Sequence, residues 1–191
     1  MNIEIRPYER RDFDQVRLIC IATDNRPARS ETRRTFVLKT YCDYYIETEP
    51  RNCFVAVDLD ADPGGGKVAG YILCAEDYED YAKNFAKNYL PKIKETGWMN
   101  SVMVRAEVRV FGRHAAFFPA HMHIDILPAY QRQGVGGRLV DTLVAHLKAK
   151  KIKGVMLIVG SKNIKGCSFY RKYGFSEIGK IGSGIEFGLD L

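Results

Sequence analysis

The chain has 191 residues, 46% of them hydrophobic, and a formal net charge of +6. That length fits a single domain that buries its core without disulfide or metal staples. No apolar run approaches twenty residues and no charged-then-apolar leader follows Met1, so neither a membrane span nor a signal peptide is expected and the protein should be soluble and cytoplasmic. The basic residues are scattered rather than gathered on one helix, which argues against a nucleic-acid role. Five widely spaced cysteines, Cys20, Cys42, Cys53, Cys74 and Cys167, sit mostly among apolar neighbours and read as buried free thiols of a reducing compartment.

Asn2 to Pro7 alternates as a first strand with Ile3 and Ile5 on one face. Asp12 is placed to cap a helix running from Phe13 to about Ala22. After an interruption at Thr23 to Ser30, a second helix over Thr32 to Thr48 carries Phe36, Val37, Tyr41, Tyr44 and Tyr45, an aromatic stripe that reads as core. Cys53 to Val57 and Val68 to Cys74 form a hairpin. Its tip, Asp60 to Gly66, reads as a flexible surface turn, because no helix follows the three glycines. Residues 76 to about 118 are longer than a strand connection needs. Tyr78, Tyr81, Phe85 and Tyr89 recur there at helical spacing until Pro91 ends or kinks the helix, so the segment is expected to be a helical insertion between two central strands.

Ala120 to Leu127 reads as a central strand on which His121, His123, Asp125 and Leu127 share one face, opposite Met122, Ile124 and Ile126. The turn Gln131-Arg132-Gln133-Gly134-Val135-Gly136 follows. Its glycines let the backbone approach a ligand, and the helix beginning there offers unpaired N–H groups and a positive dipole end, a site for an anion such as pyrophosphate. The Gly-Lys-Ser/Thr string of the P-loop is absent, and Leu139 stands where a dinucleotide fingerprint needs a third glycine. Leu139, Val140, Leu143, Val144 and Leu147 give the helix its buried stripe. Val155 to Val159 is a further buried strand, making a right-handed parallel crossover. A helix from Asn163 to Tyr173 is stopped by Gly174, and Phe175 to Ile178 and Ile185 to Leu189 complete the sheet.

Gln131, Gly134 and Gly136 match the acyl-CoA signature of the GNAT acyltransferase superfamily, and Asn163 to Phe175, with Tyr170 seven positions after the Asn and a closing Gly-Phe, resembles that family's later motif. Together they cover about residues 121 to 175. The string His121 to Asp125 also resembles the acetyltransferase-like domains associated with O-GlcNAc hydrolases. Two positions depart from the family pattern: Gln131 replaces the commoner Arg, and Gly166 stands where Ala is frequent.

The resemblance implies an α/β (α+β) GNAT fold over 1–191. Its central sheet would be mixed and mostly antiparallel, with six to seven strands including a splayed parallel pair, flanked by helices on both faces. It implies acetyl-CoA as co-substrate, held by the backbone of Asp125, Ile126 and Leu127, by the loop Gln131, Arg132, Gln133, Gly134, Val135, Gly136, Gly137 and Arg138, and by Asn163, Tyr170 and Arg171. A bulge in the central strand would free an N–H near Ile126 or Leu127 for the thioester oxygen. Arg132, Arg138, Lys162, Lys165, Arg171 and Lys172 would supply charge toward the phosphates.

A primary amine acceptor is about one part in a thousand neutral at pH 7, so its proton must be removed. His123 or Asp125, directly or through a water, is the expected base, with Glu76 as a second option. Tyr170 falls where the family places its general acid. No metal is expected, since His121 and His123 lack a third ligand. Cys167 lies within a helix without a catalytic partner, which favours direct transfer. The insertion at 76–118 is the candidate for acceptor selectivity, and the resemblance implies that the early helix bearing Tyr41, Tyr44 and Tyr45 can also wall the acceptor site. A non-catalytic acyl-CoA-binding module is the alternative, and a homodimer is an assembly common in the family. The acceptor itself is not legible.

Overall fold

The computed structural model describes residues 2–24, 26–61 and 66–191; the centre of the expected hairpin tip, residues 62–65, lies outside them. The strands are β1 (Ile3–Pro7), β2 (Phe54–Asp58), β3 (Lys67–Ala75), β4 (Ala120–Ile126), β5 (Gly154–Gly160), β6 (Ser176–Ile181) and β7 (Gly184–Asp190). The α-helices are α1 (Phe13–Thr23), α2 (Glu31–Tyr41), α3 (Asp43–Thr48), α4 (Tyr78–Asn88), α5 (Leu90–Glu95), α6 (Trp98–His114), α7 (Val135–Ala149) and α8 (Ile164–Tyr173).

All seven strands join one sheet in the order β1-β2-β3-β4-β5-β7-β6. Every neighbouring pair is antiparallel except β4 and β5. This is the expected GNAT architecture, a mixed, mostly antiparallel sheet. β3 is buried along nearly its whole length because the sheet is covered on both faces. Tyr71, Leu73 and Ala75 enter a core shared with α1 to α6, while Ile72 and Cys74 enter a second core built on α7 and α8. The five cysteines are free and buried. No helix among the described residues is long and apolar enough to cross a membrane.

Several local expectations change. Asp12 occupies the N-cap position of α1 but its side chain makes no capping bond; it is buried, accepts two hydrogen bonds from Arg6 at 2.7 Å each and a third from the Glu9 backbone at 2.9 Å. The helix expected over Thr32 to Thr48 is two helices. They part at Cys42, and α2 is capped by Ser30, which accepts from the Arg33 N–H. The helical run breaks just ahead of Pro91, as expected: α4 stops at Asn88 and α5 begins at Leu90, with Pro91 in its first turn, where the missing N–H costs nothing. The segment between β3 and β4 holds three α-helices, and its longest, α6, has no counterpart in the sequence-based assignment.

The splay arises differently from the expected bulge. β3 and β4 pair without a register shift from Gly70–Ile126 to Ala75–His121. β4 and β5, by contrast, pair only at Ala120–Val155 and His121–Met156, and part beyond. The sheet therefore opens between its two central strands toward the C-terminal end of β4.

Candidate active site

The opening between β4 and β5 holds a cavity of about 470 Å³. Its walls include His123 and Asp125 from β4, Leu157 to Gly160 from β5, Asn163 and Tyr170 from α8, Tyr41 from α2 and Glu107 from α6. Four residues singled out in the sequence, His123, Asp125, Asn163 and Tyr170, thus meet in one space. Ile126, Leu127, Arg171 and the segment Gln131 to Arg138 are not among its walls. Glu76 lies outside it too; its carboxylate pairs with Lys150 and its N–H donates to Glu49, so it is not a base for this cavity.

Asp125 is half-buried and accepts a hydrogen bond from the buried Tyr71 hydroxyl at 2.5 Å. Burial pushes its carboxyl up to about 6, against the opposing pull of that hydrogen bond. Glu107, across the cavity on α6, is pushed up by burial to about 7. Neither enters an ion pair among the described residues, whereas Asp24 at the same cavity is bound by Arg33, with Nε 3.0 Å from Oδ2. A cationic ligand would therefore meet two carboxyl groups that are in no ion pair among the described residues, in a cavity that Arg26 and Arg33 also line.

His121 and His123 project from the same face of β4, and the Nε2 of each lies 3.0 Å from the hydroxyl of Tyr45 on α3. Burial lowers both imidazoles, His123 to about 4, which keeps them neutral near pH 7. Tyr170 is buried against Phe169, Phe175 and Phe187, and its hydroxyl is pushed up by burial and by Asp125. That hydroxyl has no hydrogen-bond partner among the described residues, so it is free to donate to a bound molecule. Asn163 caps α8 by accepting from the Gly166 N–H at 2.9 Å. Cys167 is buried, its nearest polar contact the Gly160 carbonyl at 3.9 Å.

The turn after β4 leads directly into α7. Gly134 is its N-cap with φ +80°, a left-handed conformation that disfavours other residues. The first helical bond of this turn runs from the Arg138 N–H to the Gly134 carbonyl, so the N–H groups of Val135, Gly136 and Gly137 have no helical acceptor. A Cβ at Gly134 or Gly137 would meet no atom within 4 Å, which leaves open space beside those amides. The charged side chains nearby are partly engaged: Arg138 donates to the Ile3 carbonyl, and Arg171 pairs with Glu177. Gln131 donates to the Ile126 carbonyl at 2.9 Å, while Arg132 and Gln133 are exposed. The loop thus offers backbone amides and space, which suits the phosphates of a nucleotide-bearing co-substrate.

The backbone of β4 divides between its two neighbours. Leu127 donates its N–H to the Ala69 carbonyl on the β3 side at 2.9 Å. Alternation along an antiparallel ladder then turns the N–H groups of Asp125 and His123 to β3 as well, and those of Ile126 and Ile124 to the edge from which β5 has parted. Of the three backbone positions expected to hold a pantetheine arm, only Ile126 faces the gap, together with Ile124.

Glu107, Asp24 and Asn100 line the cavity although the sequence did not mark them, and Tyr45 reaches the site through its bond to His123. The profile of the acetyltransferase (GNAT) family matches residues 16–175. Among solved structures, the chain is similar over 100% of its length to the protein described as SsHAT, with 25% identity, a TM-score of 0.85 and 98% of that chain covered. It also resembles a Drosophila melanogaster polyamine N-acetyltransferase at 13% identity and a TM-score of 0.66, with 100% of each chain covered. A third likeness is to a chain of the NatC complex bound to Gag peptide and CoA, at 16% identity and a TM-score of 0.60, covering 100% of this chain and 98% of that one. The last two likenesses carry the fold alone.

Proposed function

The chain belongs to the acetyltransferase (GNAT) family, and we propose that it moves an acetyl group from acetyl-CoA to the primary amine of an acceptor by direct attack. The observation that carries this reading is the gap between β4 and β5, where an ionisable carboxyl, an unpartnered tyrosine hydroxyl and the unpaired edge of β4 meet. Acetyl-CoA fits the residues present, its phosphates on the amides of Val135, Gly136 and Gly137 and its arm along Ile124 and Ile126; bound there, it would supply an activated thioester.

Asp125 accepts the ammonium proton on its carboxylate, with about 4 kcal/mol at stake for an amine of pKa near 10. Glu107 supplies a second carboxyl that draws a cationic acceptor into the cavity. The Ile126 N–H donates to the thioester oxygen as negative charge builds there. Tyr170 gives its hydroxyl proton to the departing sulfur and regains one lost by the attacking nitrogen. Over the cycle one proton leaves for solvent. Cys167 has no catalytic partner and forms no acyl-enzyme.

The test is release of free thiol from acetyl-CoA across a panel of primary amines, with and without a second cationic centre. Thiol release that depends on amine is expected, and Tyr170→Phe should lower kcat by about 100- to 10,000-fold while leaving acetyl-CoA binding in place. If acetyl-CoA raises Tm but no amine releases thiol, the chain is a binding module; if Tyr170→Phe turns over normally, another group is the acid.

A further inference from the structure

The Tyr45 hydroxyl is shared by two imidazoles. It lies 3.0 Å from Nε2 of His121 and 3.0 Å from Nε2 of His123, and it has one proton to give. The Tyr45 hydroxyl also interacts with that of Tyr81, but an imidazole nitrogen is a stronger acceptor than a phenol oxygen, so with both rings neutral Tyr45 gives its proton to one Nε2 and accepts from the other, and the two histidines carry opposite tautomers. The intrinsic preference of imidazole for one nitrogen cancels, since either arrangement contains one ring of each kind. What separates the two arrangements is the Nδ1 of His121. This atom is sealed from solvent without a hydrogen-bond partner, its ring stacked on Phe111 at 4.1 Å between centroids and set edge-on to Tyr81 at 4.2 Å.

If His121 accepted from Tyr45, its Nδ1 would carry a proton and become an orphaned buried donor. If His121 donates through Nε2, its Nδ1 is a bare lone pair. Orphaned buried N–H groups are the rarer outcome in folded proteins, and under-satisfied acceptors are better tolerated. His121 is then the donor, Tyr45 passes its own proton to His123 Nε2, and His123 carries its remaining proton on Nδ1. His123 is also the partly exposed member of the pair and lines the cavity beside Asp125.

From this geometry we infer that Tyr45 and His121 are positioning residues that fix His123 as its Nδ1–H tautomer, so that His123 serves the cavity as a neutral hydrogen-bond donor and leaves proton removal to Asp125. The tautomer follows from the side chains alone; the role of His123 in turnover rests on the acetyltransferase reading above. The lowered affinity of both rings for a second proton agrees with it. The group that this donor addresses is an oxygen acceptor on the bound molecule.

The experiment is long-range proton–nitrogen correlation NMR of the protein labelled with nitrogen-15 in histidine, at pH 7. His123 should show a protonated Nδ1 and a bare Nε2, and His121 the reverse. In Tyr45→Phe, His123 should lose that fixed pattern. The opposite pattern in the native chain, or rapid averaging of the two tautomers, overturns the inference whether or not the protein is active and whether or not the variant folds. A kinetic arm follows thiol release. His123→Asn retains an N–H donor close to the Nδ1 position and should exceed His123→Phe in kcat/KM by at least tenfold. Equal loss in both, with an active native chain, overturns the donor role while leaving the acetyltransferase reading intact; no thiol release from the native chain overturns that reading and leaves the tautomer arm standing.

Discussion

Asp125 occupies a position that lowers the stability of the fold when it is ionised. Its carboxyl is raised from the ordinary value to about 6 because it is half-buried. Below about pH 4 the group is protonated in the folded and unfolded chains alike, and the penalty is absent. It grows as pH rises from about 4 to about 6 and is constant above, reaching about 1–3 kcal/mol after allowance for the remaining solvent contact. Asp125→Asn removes the ionisation and still accepts the Tyr71 hydrogen bond. The variant should melt several degrees above the native protein at pH 8, with the advantage fading by pH 4, while thiol release falls about 100- to 10,000-fold. A stability offset that is the same at both pH values would contradict the assignment. Strand alternation placed the Asp125 and His123 side chains on one face. The bonding role of Tyr45 was not legible, because its bond to His121 spans 76 positions and its bond to His123 spans 78, beyond any local pattern.

At the scale of elements, the strands and the motif-bearing helices were readable, since β-formers alternate along them and a cap or a glycine marks their ends. α6 was not. Its buried positions, Ser101, Val104, Val110 and Phe111, include a serine and are not regularly spaced, and its outer face exposes Trp98, Met99, Val102 and Met103. With the helix unread, Glu107 could not be placed on a wall. The break at Cys42 was equally silent, having neither Pro nor Gly; beyond it Asp43 is buried with Lys39 and Arg17 as ion partners.

The first turn of α7 gives a sharper case, because glycine there works against helix stability. Gly137 lies within the helix, and a Cβ would meet nothing within 4 Å. Gly137→Ala should therefore stabilise the unliganded protein by about 0.5–1 kcal/mol. If phosphates occupy that open space, the same methyl group should weaken acetyl-CoA binding. Calorimetric binding beside thermal melting separates the two effects. Higher Tm with undiminished affinity would show that the ligand does not approach this turn.

Across the whole molecule, the two halves of the sheet, β1 to β4 and β5 to β7, are joined at the centre by a strand pair that runs together for only two residue pairs. A ligand lying in the gap would replace the missing partner of β4 and tie the halves together. Such a ligand at a hundred times its Kd adds about 2.7 kcal/mol of stability, or about 5–10 °C in Tm for a chain of this size. The location of that gain is the stronger test, because the backbone already distinguishes the two edges of β4. The N–H of Leu127 is bonded to Ala69, whereas those of Ile124 and Ile126 face the opening. Hydrogen exchange should therefore be fast at Ile124 and Ile126 in the unliganded protein and slow markedly when acetyl-CoA is added, with a much smaller change at Leu127. Protection spread evenly over β4, or concentrated at Leu127, would mean that the co-substrate does not lie along this edge, and the oxyanion role of the Ile126 N–H would fall with it.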